Sequence, residues 1–151
     1  MNTRRQLHCA AQCLCDDFAS KKDVKSLLSH FSSMVQPSAI EHGEAFLAPF
    51  LGRTFVGISS IQSYFELLAQ HLTHQNMRFS EYVVDVEERK VAVKGQAEFT
   101  WTSSGDKWEE TFAYVLDFDD QAKVVRYQVW ADSGAAYLAR MGELERKRKG
   151  I

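Results

Sequence analysis

Beyond Asn76 the apolar residues fall at every second position, and the alternation lasts for more than fifty residues. A period of two is the signature of strands with one dry face, so this half of the chain must form a sheet. Four strands are predicted, over about 77–87, 90–102, 107–118 and 123–132. The links Glu88-Arg89, SSGD and DDQA are hairpin-sized and rich in turn residues, which makes the strands consecutive and antiparallel. In the second strand Val91, Val93, Gly95, Ala97, Phe99 and Trp101 form the apolar row. In the third it is Trp108, Phe112, Tyr114, Leu116 and Phe118, interrupted by the charge of Glu110. Gly95 and Ala97 leave room on the inner face, as at a sheet bend or a cavity floor.

Such a sheet has a face to cover, and the N-terminal part supplies helices. Leu7, Ala10, Ala11, Leu14 and Phe18 recur at steps of three and four, predicting a helix over 4–19. Val24, Leu27, Leu28 and Phe31 predict a second over 21–31. Pro37, Gly43, Pro49, Gly52 and Gly57 then punctuate short apolar pieces, read as short strands and loops. Ser59 or Ser60 is the expected N-cap of a third helix with Ile61, Tyr64, Phe65, Leu68 and Leu72 on its apolar side. A last short helix follows Asp132. Residues 1–142 read as one α+β domain, and 143–151 as a basic tail.

The chain's 151 residues, 45% of them hydrophobic and only 2 of them proline, suit one domain with a substantial core. Its 18 Lys plus Arg against 20 Asp plus Glu give a net charge of −2, and four of those cations sit in the tail. No field able to hold nucleic acid by its phosphates results. No apolar run approaches a membrane span, and the opening residues are too polar for a secretory signal. Cys9, Cys13 and Cys15 crowd one predicted helix, which points to reduced thiols and a cytoplasmic location. No second Cys/His pair follows them, so no metal site is expected.

Several residues carry candidate chemistry. Glu110 on a dry strand face either pairs with Arg126 or, desolvated, becomes a general acid or base. Tyr114 offers a fixed donor to a ligand carbonyl. Asp132 either caps the last helix or transfers protons at the mouth of the sheet. His42, in EHGE, is either an exposed loop histidine or a base oriented by Glu41 or Glu44. Phe46, Phe50, Phe65, Trp101, Phe112 and Trp130 are candidates for an aromatic wall around a hydrophobic small molecule, although Trp130 has the opposite strand parity from Val129. The usual nucleotide, serine-hydrolase and zinc-peptidase motifs do not occur, and no cofactor is expected.

The order of these elements resembles the nuclear transport factor 2-like superfamily, especially its SnoaL-like polyketide cyclase, scytalone dehydratase and ketosteroid isomerase branches. The resemblance spans about residues 4–140 and rests on the helical hairpin, on GRTFVGISSIQSYFELL with a glycine before the third helix, and on VVRYQVWAD before the last. It implies a cone-shaped curved antiparallel sheet, a cystatin-like α+β barrel, wrapped around the N-terminal helices and a deep apolar pocket. It also implies a homodimer, and an acidic catalytic group at Asp132. His42 only roughly matches the region where isomerase-like members place an aspartate base. The function expected is a cofactor-independent isomerase, cyclase or dehydratase of secondary metabolism acting on a hydrophobic carbonyl compound. Asp132 and His42 would transfer the proton, Tyr114 would donate to the oxygen and Glu110 would be in reserve. The alternative is a non-catalytic homodimeric binding or interaction domain, with the polar row Lys94, Gln96, Glu98 and Thr100 at its interface.

Overall fold

The computed structural model describes residues 2–150. In chain order the elements are α1 (Arg4–Ala19), α2 (Val24–Leu28), β1 (Ser38–His42), β2 (Thr54–Val56), α3 (Ile58–His71), β3 (Leu72–Asp85), β4 (Lys90–Trp101), β5 (Lys107–Phe118), β6 (Val124–Trp130), α4 (Ser133–Arg140) and α5 (Leu144–Arg148), with a single 3₁₀ turn at Ala45–Leu47. Among the described residues the six strands form one curved, unclosed sheet in the order β2-β1-β6-β5-β4-β3. The pairing is antiparallel except between β1 and β6, which run parallel. The four consecutive strands β3–β6 are antiparallel as expected, and the one parallel pair brings the far end of the chain beside β1.

Sheet register sets the core. Ala39, Tyr127, Leu116, Val91 and Val84 line up across β1, β6, β5, β4 and β3, and all five are buried. The inward rows of β4 and β5 are the ones the alternation predicts, with Phe99 half-buried and the rest of both rows inside. Gly95 makes room for a ring, because a Cβ there would lie 2.3 Å from Phe112 Cε2. Helix α1 covers this face with Leu7, Ala11, Leu14 and Cys15, and Thr3 caps it in a capping box with Gln6.

Three boundaries differ from the sequence expectation. Helix α2 is limited to Val24–Leu28, because the Asp23 carboxylate accepts the Ser26 amide at 2.9 Å and starts the helix there. Helix α3 begins at Ile58, since Gly57 takes a φ of +89° and is itself the N-cap, placing Ser59 and Ser60 in the first turn. Strand β3 begins at Leu72, directly after α3. Two bulges, between Gln75 and Arg78 and between Ser80 and Val83, disturb its alternation and hide its start from a period-two reading.

Among the described residues no helix is long and apolar enough to cross a membrane. The three cysteines are free thiols; burial pushes the Cys15 thiol up to about 12, while Cys9 and Cys13 are exposed. In the tail, Leu144 is buried and the basic residues of α5 face solvent, while Ile151 lies outside the described residues.

Candidate active site

Between the concave face of the sheet and helices α1–α3 lies a cavity of about 340 Å³. Its walls are mostly apolar and rich in aromatics, with Phe50, Phe65, Phe99, Trp108, Phe112 and Tyr114 among them. Three carboxyls line it, from β1 (Glu41), β5 (Glu110) and the end of β6 (Asp132).

The register explains why Glu41 faces in. In β1 the inward residues are Ala39 and Glu41, opposite Tyr127 and Val129 of β6, and Val129 pairs in turn with Tyr114 of β5. Glu41 is 8% exposed, and its Oε1 accepts a hydrogen bond from the Tyr64 hydroxyl at 2.8 Å. Burial pushes its pKa up to about 8; the Tyr64 hydrogen bond opposes that shift and repulsion from Glu110 adds to it. Glu41 is thus a neutral acid at pH 7.

Glu110, also 8% exposed, is held by the Trp108 indole, whose Nε1 donates to Oε1 at 2.8 Å. The two side chains sit two residues apart on one face of β5, so the strand's pleat makes this contact. Burial pushes Glu110 up to about 7, with the Trp108 hydrogen bond opposing and repulsion from Asp132 adding. The ion pair with Arg126 considered from sequence does not form; Arg126 lies on the opposite face, its guanidinium 3.1 Å from the side-chain amide of Gln128.

Asp132 caps a helix and also borders the cavity. Its Oδ1 accepts the Ala135 amide at 3.0 Å, capping α4, and its side chain also lines the cavity at an exposed edge. Tyr114 lines the cavity too, its ring 5.0 Å from that of Tyr127. Burial drives the Tyr64, Tyr114 and Tyr127 hydroxyls well above the usual phenol range, which keeps all three as donors.

The structure does not bring every predicted residue together. His42 points to the outer face, its ring stacked 4.5 Å from Trp130 and its Nε2 2.9 Å from the Gln128 side-chain amide. It therefore does not meet Asp132 across the cavity; the odd residues of β1 face in, and Glu41 stands where His42 was expected. Trp130 is on that same outer face, 44% exposed, as its strand parity allowed. Phe46 is 68% exposed and packs edge-on against Tyr137 of α4. Trp101 is buried behind the wall, 6.0 Å from the Phe50 ring, whereas Phe50, Phe65 and Phe112 line the space. Tyr64 and Trp108, which hold the two carboxyls, were read from sequence only as core aromatics. Among the described residues no group of three or more His, Cys, Asp or Glu side chains is arranged to hold a metal ion.

No protein-family model matches the chain, and no curated protein matches it. Solved structures do. A nuclear transport factor 2-like protein of unknown function from Burkholderia pseudomallei superposes with a TM-score of 0.73 at 15% identity, over 89% of this chain and 96% of that one. BvnE pinacolase from Penicillium brevicompactum gives 0.69 at 18% identity, over 98% and 99% of the two chains. TerC, co-crystallised with polyporic acid, gives 0.72 at 20% identity, over 89% and 97%. The curved, unclosed mixed sheet with helices on its concave face is the nuclear transport factor 2-like fold.

Proposed function

We propose that the protein is an acid/base enzyme that moves a proton on a hydrophobic carbonyl compound, as an isomerase, cyclase or dehydratase does. One observation carries this reading: Glu41 and Glu110, with pKa values near 8 and 7, face a single aromatic-walled cavity. Two buried carboxyls tuned to neutrality at different values suit an acid and a base working at one pH.

In this reading Glu110, half ionised near neutrality and increasingly so above it, and steadied by Trp108, takes the proton from a carbon next to the carbonyl. Glu41, still protonated and tied to Tyr64, gives a hydrogen bond or a proton to the oxygen on which negative charge builds. Asp132, through its charge, keeps the Glu110 pKa high enough to make it an effective base. The aromatic side chains around Glu41 and Glu110 lower the local polarity, which strengthens each of these interactions. These groups suffice for proton transfer without a cofactor. The fold alone does not determine chemistry, yet its relatives here include a pinacolase and a protein crystallised with polyporic acid, in keeping with an enzyme on hydrophobic oxygenated compounds.

The test is hydrogen exchange. 2-Tetralone and 1-indanone, incubated with the protein in deuterium oxide, should take up deuterium at the carbon beside the carbonyl, read by mass spectrometry. The rate should be bell-shaped in pH with its top between about 7 and about 8, and Glu110→Gln should lower it at least about 100-fold. Ketones that bind, by thermal shift, without exchanging above the rate of the Glu41→Gln/Glu110→Gln double variant would refute the catalytic reading and leave a binding protein.

A further inference from the structure

The cavity is chemically divided. Its three carboxyls project from the sheet and the β6–α4 junction, whereas Lys21 and Lys22 enter its lining from the α1–α2 connection. Neither lysine takes part in an ion pair among the described residues. Beside them is His74 of β3, its ring stacked 5.7 Å from that of Phe18 and its Nδ1 sealed from solvent with no partner among the described residues. Burial, and secondarily Lys21, hold the His74 pKa below its usual value. Among the described residues this end of the cavity therefore carries two lysines outside any ion pair, of which Lys22 also feels the charge of Asp23, beside a neutral imidazole with an unpartnered nitrogen.

The backbone makes Lys21 more pointed. Helix α1 ends with the Lys21 amide bonded to Phe18 O at 3.1 Å and the Lys22 amide to Asp17 O at 3.0 Å, the two bonds of a Schellman motif. Lys21 occupies the position of that motif usually given to glycine, at a φ of +61°. A glycine would make the turn at less cost, but without an ammonium group at the cavity.

We infer that the substrate is an amphipathic acid, a hydrophobic carbonyl compound with an anionic group that rests against Lys21 and Lys22 while its carbonyl reaches Glu41, Tyr64 and Glu110. The assignment rests on the reading of the cavity as a site for a hydrophobic ligand, and gives that ligand a charge and a direction. An anion at the carboxyl end would be repelled; at the lysine end it is attracted, so one orientation is selected.

Two fluorescent probes separate the two ideas. 8-Anilinonaphthalene-1-sulfonate and N-phenyl-1-naphthylamine share an apolar body, and only the first carries a negative charge. The native protein is expected to bind the sulfonate about tenfold more tightly than the neutral amine. The double variant Lys21→Gly/Lys22→Gln, chosen because glycine suits the local backbone, should lose that preference with amine binding unchanged. Lys21→Arg/Lys22→Arg should retain it. Equal affinity of the native protein for both probes, or a preference that survives the double variant, overturns the inference and leaves the hydrophobic cavity standing. Binding of neither probe overturns both.

Discussion

Replacing Glu41 by glutamine tests whether the cavity holds a neutral acid, with stability as the readout. Burial gives this carboxyl a pKa of about 8, against 4.5 for an exposed glutamate. Between those two pH values the unfolded chain has released a proton that the folded chain keeps. The side chain therefore imposes no titration cost below pH 4.5, and a growing cost as pH rises. At about 1.4 kcal/mol per pH unit the loss reaches about 5 kcal/mol near pH 8, where the folded protein ionises as well and the curve levels off. The Glu41→Gln amide cannot ionise and keeps an oxygen to accept the Tyr64 hydroxyl. Any cost of fitting the extra amide hydrogens is independent of pH and cancels when differences between pH values are taken. Urea unfolding at pH 5, 6, 7 and 8 measures the quantity. The stability of the variant relative to the native protein should rise by about 4 kcal/mol from pH 5 to pH 8. A difference that stays flat over that range would show that Glu41 ionises as freely as a surface carboxylate, and the acid half of the mechanism would go with it.

Asp132→Ala removes the cap of α4 and should cost about 1 kcal/mol, a fall in Tm of about 2–4 °C, whereas Asp132→Asn keeps a capping oxygen and should not. Both substitutions remove repulsion from Glu110 and should move the acidic limb of the exchange profile to lower pH. Gly95→Ala puts a methyl 2.3 Å from the Phe112 ring; the ring must shift, at about 1–3 kcal/mol in urea unfolding, and naphthyl probe affinity should fall with it.

Much of this fold was legible because its elements are long. Strands β4 and β5 have twelve residues each, enough for alternation to state which row is dry, and Glu110 emerged as the one charge in such a row. Asp132 was legible as a residue with two possible roles, since capping is local and the end of a strand is easily located. The first strand was different. Five residues, SAIEH, can face either way, and the larger apolar side chain, Ile40, favours the parity that would turn His42 inward. Nothing local opposes that choice.

What opposes it is the parallel pairing of β1 with β6, more than eighty residues distant in sequence, which matches Ala39 with Tyr127 and so puts Glu41 inside and His42 on the outer face. The same long-range register put Trp130 outside and aligned Glu41, Val129 and Tyr114 in one inward row. The sequence by itself thus determined the class of fold, the dry faces of its long strands and two of the three cavity carboxyls, because each follows from periodicity or from a local hydrogen bond. Only the tertiary structure decided which residue of β1 meets the cavity, which partners hold the two glutamates and which charges stand at its other end. A carboxyl's pKa depends on what surrounds it in space, and in a sheet those neighbours come from strands far apart along the chain.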